Sequence, residues 1–289
     1  ILGVLANLKE IRNRIASVSS TMQITSAMKM VSAAKLKKAQ DAITAMRPYS
    51  EKLQELISNL SNHSEAFSSP YLKQTKINKI LLLVITSNRG LCGAFNSNII
   101  KEVLKKIEVE YSNKQISIIT FGKKGNDVLS KKNKIISNNN IIFDNINFKE
   151  VSVIAENIMK DFSENKYDKI EVIFNQFKNA ATQIVKSETL LPVSAKTAES
   201  KNLTTYIFEP NQQQIVSNLI PSSVKIQLLK SLRDSFASEH GARMTAMHKA
   251  TDNATELRDQ LKLSYNKARQ ASITNEILEI VGGAEALKS

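Results

Sequence analysis

Between Ser222 and Ala286 the chain runs through 65 residues without a proline. As a single helix that stretch would be roughly 95 Å long, at ~1.5 Å of rise per residue. An apolar seam lies along it: Leu229, Leu232, Phe236, Met244, Met247, Ala254, Leu257, Leu261, Ala268 and Ile277. A small sheet cannot bury a helix of that length, so a second long element has to lie beside it. The opening residues offer one, because Leu8, Ile11, Ile15, Val18 and Met22 recur at spacings of 3, 4, 3 and 4, the seam of a coiled coil. The register loosens around Thr25–Lys38 and returns with Ala39, Ile43, Met46, Leu53, Leu56 or Ile57, and Leu60. That phase shift predicts a local change in supercoil. Pro48 is expected to bend or interrupt the helix, since it lacks an N–H and clashes with the preceding turn.

The middle of the chain has a different grain. Ser61–Thr75, with Pro70, reads as a connector. Lys79–Ser87 (KILLLVITS) reads as a buried strand, Gln115–Phe121 as a second and Lys169–Phe174 as a third, with Thr189–Val193 and Thr205–Phe208 as weaker candidates. Helical faces lie between them at Ile99–Tyr111 and Val151–Phe162. Strands alternating with helices predict a mostly parallel, Rossmann-like sheet. The expected fold is therefore α+β and helix-rich. The N- and C-terminal segments pair as a long antiparallel two-helix coiled coil, and an α/β domain is inserted between them. Residues 1–60 and 212–289 form the shaft, and 76–210 the globular foot.

The two helices differ in length, and the difference carries information. A first helix of about 54 residues, laid with its far end level with Ser222, begins level with about residue 275. Roughly the last dozen residues then project alone. There Ile277, Leu278, Ile280, Val281, Ala284, Ala286 and Leu287 cover more than one face. A lone helix that is apolar on several sides is not stable in water, so a surrounding apolar sleeve is expected.

Charge narrows the partners without choosing one. The balance is +13, shared as +5 over residues 1–60, +6 over 61–221 and +2 over 222–289, with its densest focus at Lys35, Lys37 and Lys38. Such a field favours acidic partners, nucleic acid or anionic headgroups. No zinc spacing, RNP motif or interleaved aromatic platform supports nucleic acid. The longest apolar run, Ile80–Ile85, is far short of the ~20 residues of a spanning helix. No secretory signal is expected, and Cys92, the single cysteine, excludes an internal disulfide.

Candidate chemistry is sparse. SNRGLCGAFNSN, residues 87–98, follows a strand and precedes a helix, the place where glycine-rich loops cradle phosphates. Gly90 and Gly93 match neither the dinucleotide fingerprint nor the P-loop, so a tight turn with a packed Cys92 is the preferred reading. His240 and His248 share a helix but lie ~12 Å apart along it, too far to close on one ion. No carboxylate constellation stands out for acid–base work. No catalytic site, cofactor or metal is expected.

Several segments, taken together, resemble the gamma-subunit family of F-type ATP synthases. KEIRNRIASVSSTMQITSAMKMVSAAKLKKAQ (9–40) is similar to that family's opening helix, and SNRGLCGAFN (87–96) to its first strand-to-helix turn. SEHGARMTAMHKATDNA (238–254) and LSYNKARQASITNEILEIVGGA (263–284) resemble its C-terminal helix. The resemblance implies a non-catalytic rotor subunit of the central stalk, whose shaft is seated in a hexamer of alternating alpha and beta subunits. It also implies attachment to the epsilon subunit and the membrane c-ring, without membrane insertion or nucleic acid. The place it implies is the cytoplasmic face of a bacterial plasma membrane. Carried over residue by residue, Arg269 and Gln270 fall where family members bond a beta-subunit catch loop, with Thr274 and Glu276 in the same stretch. Arg243 matches a shaft arginine important for coupling, and Met28 a site facing the beta subunit's acidic lever. Tyr206 and Glu209 match foot positions near the rotor ring and epsilon. The chain departs in having Phe95 where another apolar residue is common. It also lacks the inserted cysteine pair of chloroplast members, and Ile1–Leu5 has no counterpart in the family pattern.

Overall fold

The computed structural model describes residues 2–61, 70–72, 76–193 and 212–286. Two helices dominate it, α1 (Leu2–Ser61) and α5 (Gln212–Ala286). Between them lie β1 (Lys79–Ile85), α2 (Phe95–Lys105) with a π turn at Lys106–Glu110, β2 (Gln115–Phe121) and α3 (Lys123–Leu129). β3 (Ile135–Asn138), α4 (Phe148–Ser163), β4 (Lys169–Phe177) and β5 (Gln183–Leu191) complete the order. The chain divides into two compact units, one of Ile1–Val31 with Met244–Ser289, the other of Ser32–Arg243.

In the first unit the two helices run antiparallel. The Arg12 guanidinium donates to the Tyr265 hydroxyl at 2.7 Å, Arg258 meets the Met22 sulfur at 3.4 Å, and the Thr25 and Thr251 hydroxyls bond each other at 2.8 Å. As one number rises the other falls, and the register agrees with the alignment deduced from helix lengths. The seam differs from the sequence reading in two ways. Along α1 the less exposed positions keep one unbroken spacing of 3 and 4 through Met22, Thr25, Lys29, Ser32, Leu36 and Ala39. The register therefore does not loosen around Thr25–Lys38. Three of its inward positions are Thr25, Lys29 and Ser32, which leave no apolar signal, and the Thr25 hydroxyl is satisfied within the seam by Thr251. On α5 Leu257 is exposed and Arg258 holds the inward position beside it, with Tyr265 inward two turns further on. Both have long stems that can cover apolar surface while a polar tip finds a partner.

The second unit is built on a five-stranded sheet of order β3-β2-β1-β4-β5. β3, β2, β1 and β4 are parallel and β5 is antiparallel to β4. β1 is central, and its side chains from Ile80 to Ile85 are fully buried, as a strand covered on both faces requires. Ile80, Leu82 and Val84 pack against Phe95, Ile99 and Val103 of α2. Leu81, Leu83 and Ile85 pack against α4, the Val224–Leu232 stretch of α5 and Met46 of α1. β3 was not anticipated, being four residues long and half exposed at the sheet edge. α1 continues through Pro48 without interruption, and α5 contains Pro221. The strand candidate Thr205–Phe208 lies outside the described residues, as does most of the Ser61–Thr75 connector. Among the described residues no helix is long and apolar enough to cross a membrane.

Candidate functional site

The turn after β1 stands at the centre of the larger unit, beside the strand where the crossovers switch direction. Open α/β sheets bind their ligands at such a point. Here the turn is closed by the chain's own groups. Leu91 and Gly93 take φ of 61° and 59°, and Cys92 between them is buried. Asn96 donates to the Ser87 hydroxyl at 2.7 Å and to the Cys92 sulfur at 3.3 Å, while its Oδ1 accepts from the Ser87 amide at 2.9 Å. Burial pushes the Cys92 thiol up from its ordinary range, against the Ser87 hydrogen bond. Gly122 also guards this region, since a Cβ there would lie 2.3 Å from the Thr86 carbonyl oxygen. The tight turn with a packed Cys92 is thus the arrangement found.

The carbonyl groups of this turn face α5. Arg243 donates from Nη2 to the Arg89 oxygen at 3.0 Å and to the Gly90 oxygen at 3.3 Å, and from Nε to Gly90 at 3.4 Å. Its Nη1 pairs with the Glu239 carboxylate at 2.7 Å and lies 3.4 Å from Nδ1 of His240. Arg243, Glu239 and His240 are all buried. Burial lifts the Glu239 carboxyl above the usual range, with Arg243, Lys35 and Arg89 opposing it. Burial, together with the positive charges of Arg243 and Lys35, pushes the His240 imidazole down to about 3, so the ring is neutral. Arg243 was expected as a coupling residue of the shaft, and its side chain is committed inward. Glu239 was not anticipated. Its spacing of four from Arg243 on one helix is a readable ion-pair signal, but nothing in the sequence marks that helix face as buried.

A second polar cluster anchors the far end of β4. Glu171 accepts from the Tyr111 hydroxyl at 2.8 Å and from Lys106 at 3.3 Å, with Lys169 at 3.6 Å. Burial opposes ionisation of Glu171, but the neighbouring Ser187 hydroxyl, the Tyr111 bond and the charges of Lys169 and Lys106 outweigh it and hold the carboxyl below the usual range. Burial first, then the hydrogen bond and charge of Glu171 with the charge of Glu110, push the Tyr111 hydroxyl up. This cluster fixes the π turn to the sheet. Among the described residues no three His, Cys, Asp or Glu side chains lie close enough to hold a metal ion.

In the smaller unit Arg269, Gln270, Thr274 and Glu276 are all exposed along α5, and Met28 is half-buried on α1. Gln270, Thr274, Ile277 and Val281 follow one helix face at intervals of four, three and four. Beyond Thr274 the helix is apolar on more than one face and unsheltered, with Ile277 55%, Leu278 62%, Ile280 66% and Val281 54% exposed. Tyr206 and Glu209 lie outside the described residues.

A family model described as ATP synthase matches residues 7–287. The ATP synthase gamma chain of Flavobacterium johnsoniae is 66% identical over 285 residues, covering 98% of this chain and 99% of that one. The gamma chain of Geotalea daltonii is 42% identical over 288 residues, covering 98% of this chain and 100% of its own length. Among solved structures, a chain of the Tetrahymena thermophila mitochondrial ATP synthase central stalk and c-ring superposes with TM-score 0.60 at 29% identity, covering 78% of this chain and 99% of that one. A chain of the Euglena gracilis mitochondrial ATP synthase is alike in fold, with TM-score 0.69 at 21% identity, covering 98% of this chain and 95% of that one.

Proposed function

Because this chain belongs to the ATP synthase gamma-chain family, we propose that its paired terminal helices turn inside a hexamer of alpha and beta subunits and carry torque between that head and a membrane c-ring. It is the central-stalk subunit of a rotary machine, and it performs no chemistry of its own. Residues 1–60 and 212–289 serve as shaft and 76–210 as foot. ATP is made and hydrolysed on the beta subunits. The shaft makes different contacts with each of three otherwise equivalent beta subunits, and only that difference in contact free energy can bias them between open and closed states.

One observation carries this reading: the exposed face of α5 from Gln270 and Thr274 to Ile277 and Val281. Polar groups on its first part suit a catch loop, through Arg269 and Gln270 with Thr274 and Glu276 close by. The apolar tip suits a sleeve in which rotation meets near-uniform contact. Met28 faces the beta subunit's acidic lever, and Tyr206 and Glu209 belong to the contact with epsilon and the c-ring. The complex lies on the cytoplasmic face of a bacterial plasma membrane, in keeping with its 66% identical relative from Flavobacterium. Isolation of the native complex with subunit mass analysis tests the assignment. One copy of this chain with three alpha and three beta subunits is expected (from the family pattern), and a chain recovered alone under gentle conditions would count against it. Arg269→Ala and Gln270→Ala should lower ATP synthesis several-fold while leaving the thermal midpoint of the isolated chain unchanged.

A further inference from the structure

Arg243 has no donor to spare. A guanidinium carries five N–H groups in a fixed fork. Here Nε points to the Gly90 oxygen, Nη2 to the oxygens of Arg89 and Gly90, and Nη1 to Glu239 and to Nδ1 of His240, all at 2.7–3.4 Å. Every one of those acceptors belongs to the same compact unit as Arg243 itself. The side chain is 8% exposed, so contact with another subunit would require breaking this set and moving a buried charge.

We propose that Glu239 and Arg243 form a latch that positions the Asn88–Gly93 turn, and that Arg243 influences coupling through that turn instead of by touching a neighbouring subunit. The word coupling rests on the rotor reading above; the latch itself does not. The turn needs an external hold for a reason visible in its backbone. Leu91 sits at φ 61°, a left-handed conformation that a leucine disfavours, and its side chain is 64% exposed, so its own packing does not keep it there. Two adjacent carbonyls, of Arg89 and Gly90, gripped by one planar fork fix the turn's direction. Together with the bonds of Ser87 to the Arg89 oxygen and of Asn96 to Cys92, this grip keeps Cys92 inward and Leu91 and Arg89 outward. A lysine cannot reproduce the grip, because a single ammonium does not match two carbonyls as a rigid fork does. Glu239 completes the device by balancing the buried charge at 2.7 Å and setting the guanidinium plane. Both residues are positioning residues.

The chain carries its own reporter, since Cys92 is its one cysteine and is shielded by the turn. The full-length chain is labelled with N-ethylmaleimide under native conditions as wild type, Arg243→Lys and Glu239→Gln. Val151→Ala, on the opposite face of the sheet, serves as a control for general loss of stability. Arg243→Lys should raise the labelling rate about tenfold, and Glu239→Gln, which keeps an oxygen acceptor, by less. Val151→Ala should leave it within about twofold, since it loosens core packing and not the turn. In parallel, the ratio of ATP synthesis to hydrolysis is measured for the assembled complex carrying each variant. If Arg243→Lys lowers that ratio while Cys92 labelling stays at the wild-type rate, the latch is refuted and Arg243 acts by direct contact. If labelling rises and the ratio holds, the latch stands and its link to coupling is what fails. Should Arg243→Lys not fold, Glu239→Gln gives the same two readouts.

Discussion

His240 should not take up a proton in the folded chain anywhere near neutral pH, and stability should record that refusal. The ring is buried with its edge on Phe236, ring centroids 4.5 Å apart, and Nδ1 faces the Arg243 guanidinium at 3.4 Å. Lys35 adds a further positive charge, and together with burial these groups push the imidazole down to about 3. In the unfolded chain it titrates near the ordinary ~6.5. Between those values the unfolded state binds a proton that the native state does not, so stability is present above about pH 6.5 and is lost as pH falls. The complete difference corresponds to roughly 5 kcal/mol, of which about 2 kcal/mol is spent between pH 7 and pH 5. Glu239 pulls the other way: burial raises its carboxyl, so it takes a proton more readily when folded and gains relative stability as pH falls. Comparing wild type with His240→Gln cancels that contribution, because Glu239, Arg243 and Lys35 are present in both. Urea unfolding at pH 7 and pH 5 should show the stability difference between the two chains moving by about 2 kcal/mol in favour of the variant at the lower pH. A difference that does not move with pH would refute the reasoning. So would a folded-state His240 proton resonance with a midpoint near 6.5.

Three further outcomes follow from the geometry. Glu171→Ala should cost about 3–5 kcal/mol in urea unfolding, because it strips a buried carboxylate from Lys106 and Tyr111, and a loss below about 1 kcal/mol would mean that the cluster is solvated. Thr25→Val or Thr251→Val alone should cost about 1 kcal/mol, and the double variant less than the two together, since the hydroxyls bond each other at 2.8 Å; strict additivity in a double-mutant cycle would exclude the pairing. Ile277→Ser and Ile280→Ser should leave the stability of the isolated chain within about 0.5 kcal/mol, because both side chains are more than half exposed, while weakening retention of the chain in the complex on gel filtration.

The amino-acid sequence by itself determined the two long helices and the central strand. Ile80–Ile85 has no polar residue to turn toward water, so it has to be covered on both faces. The spacing from Leu8 to Met22 leaves one apolar stripe that only a partner helix can bury, and helix lengths alone placed the unsheltered tip near Ile277. Those are local facts of period and length. What only the tertiary structure decided is where polar groups go. Thr25 and Ser32 occupy inward seam positions, Arg258 takes one in place of Leu257, and Tyr265 holds another, with polar tips that find partners or stems that cover apolar surface. The short edge strand β3 and the antiparallel β5 carry too little alternation to announce their pairing. Glu239 and Arg243 would read as a surface ion pair until α5 is laid against the turn after β1. Burial is a property of which elements meet, and it is burial that turns an ordinary i, i+4 pair into a fixed grip on a distant loop.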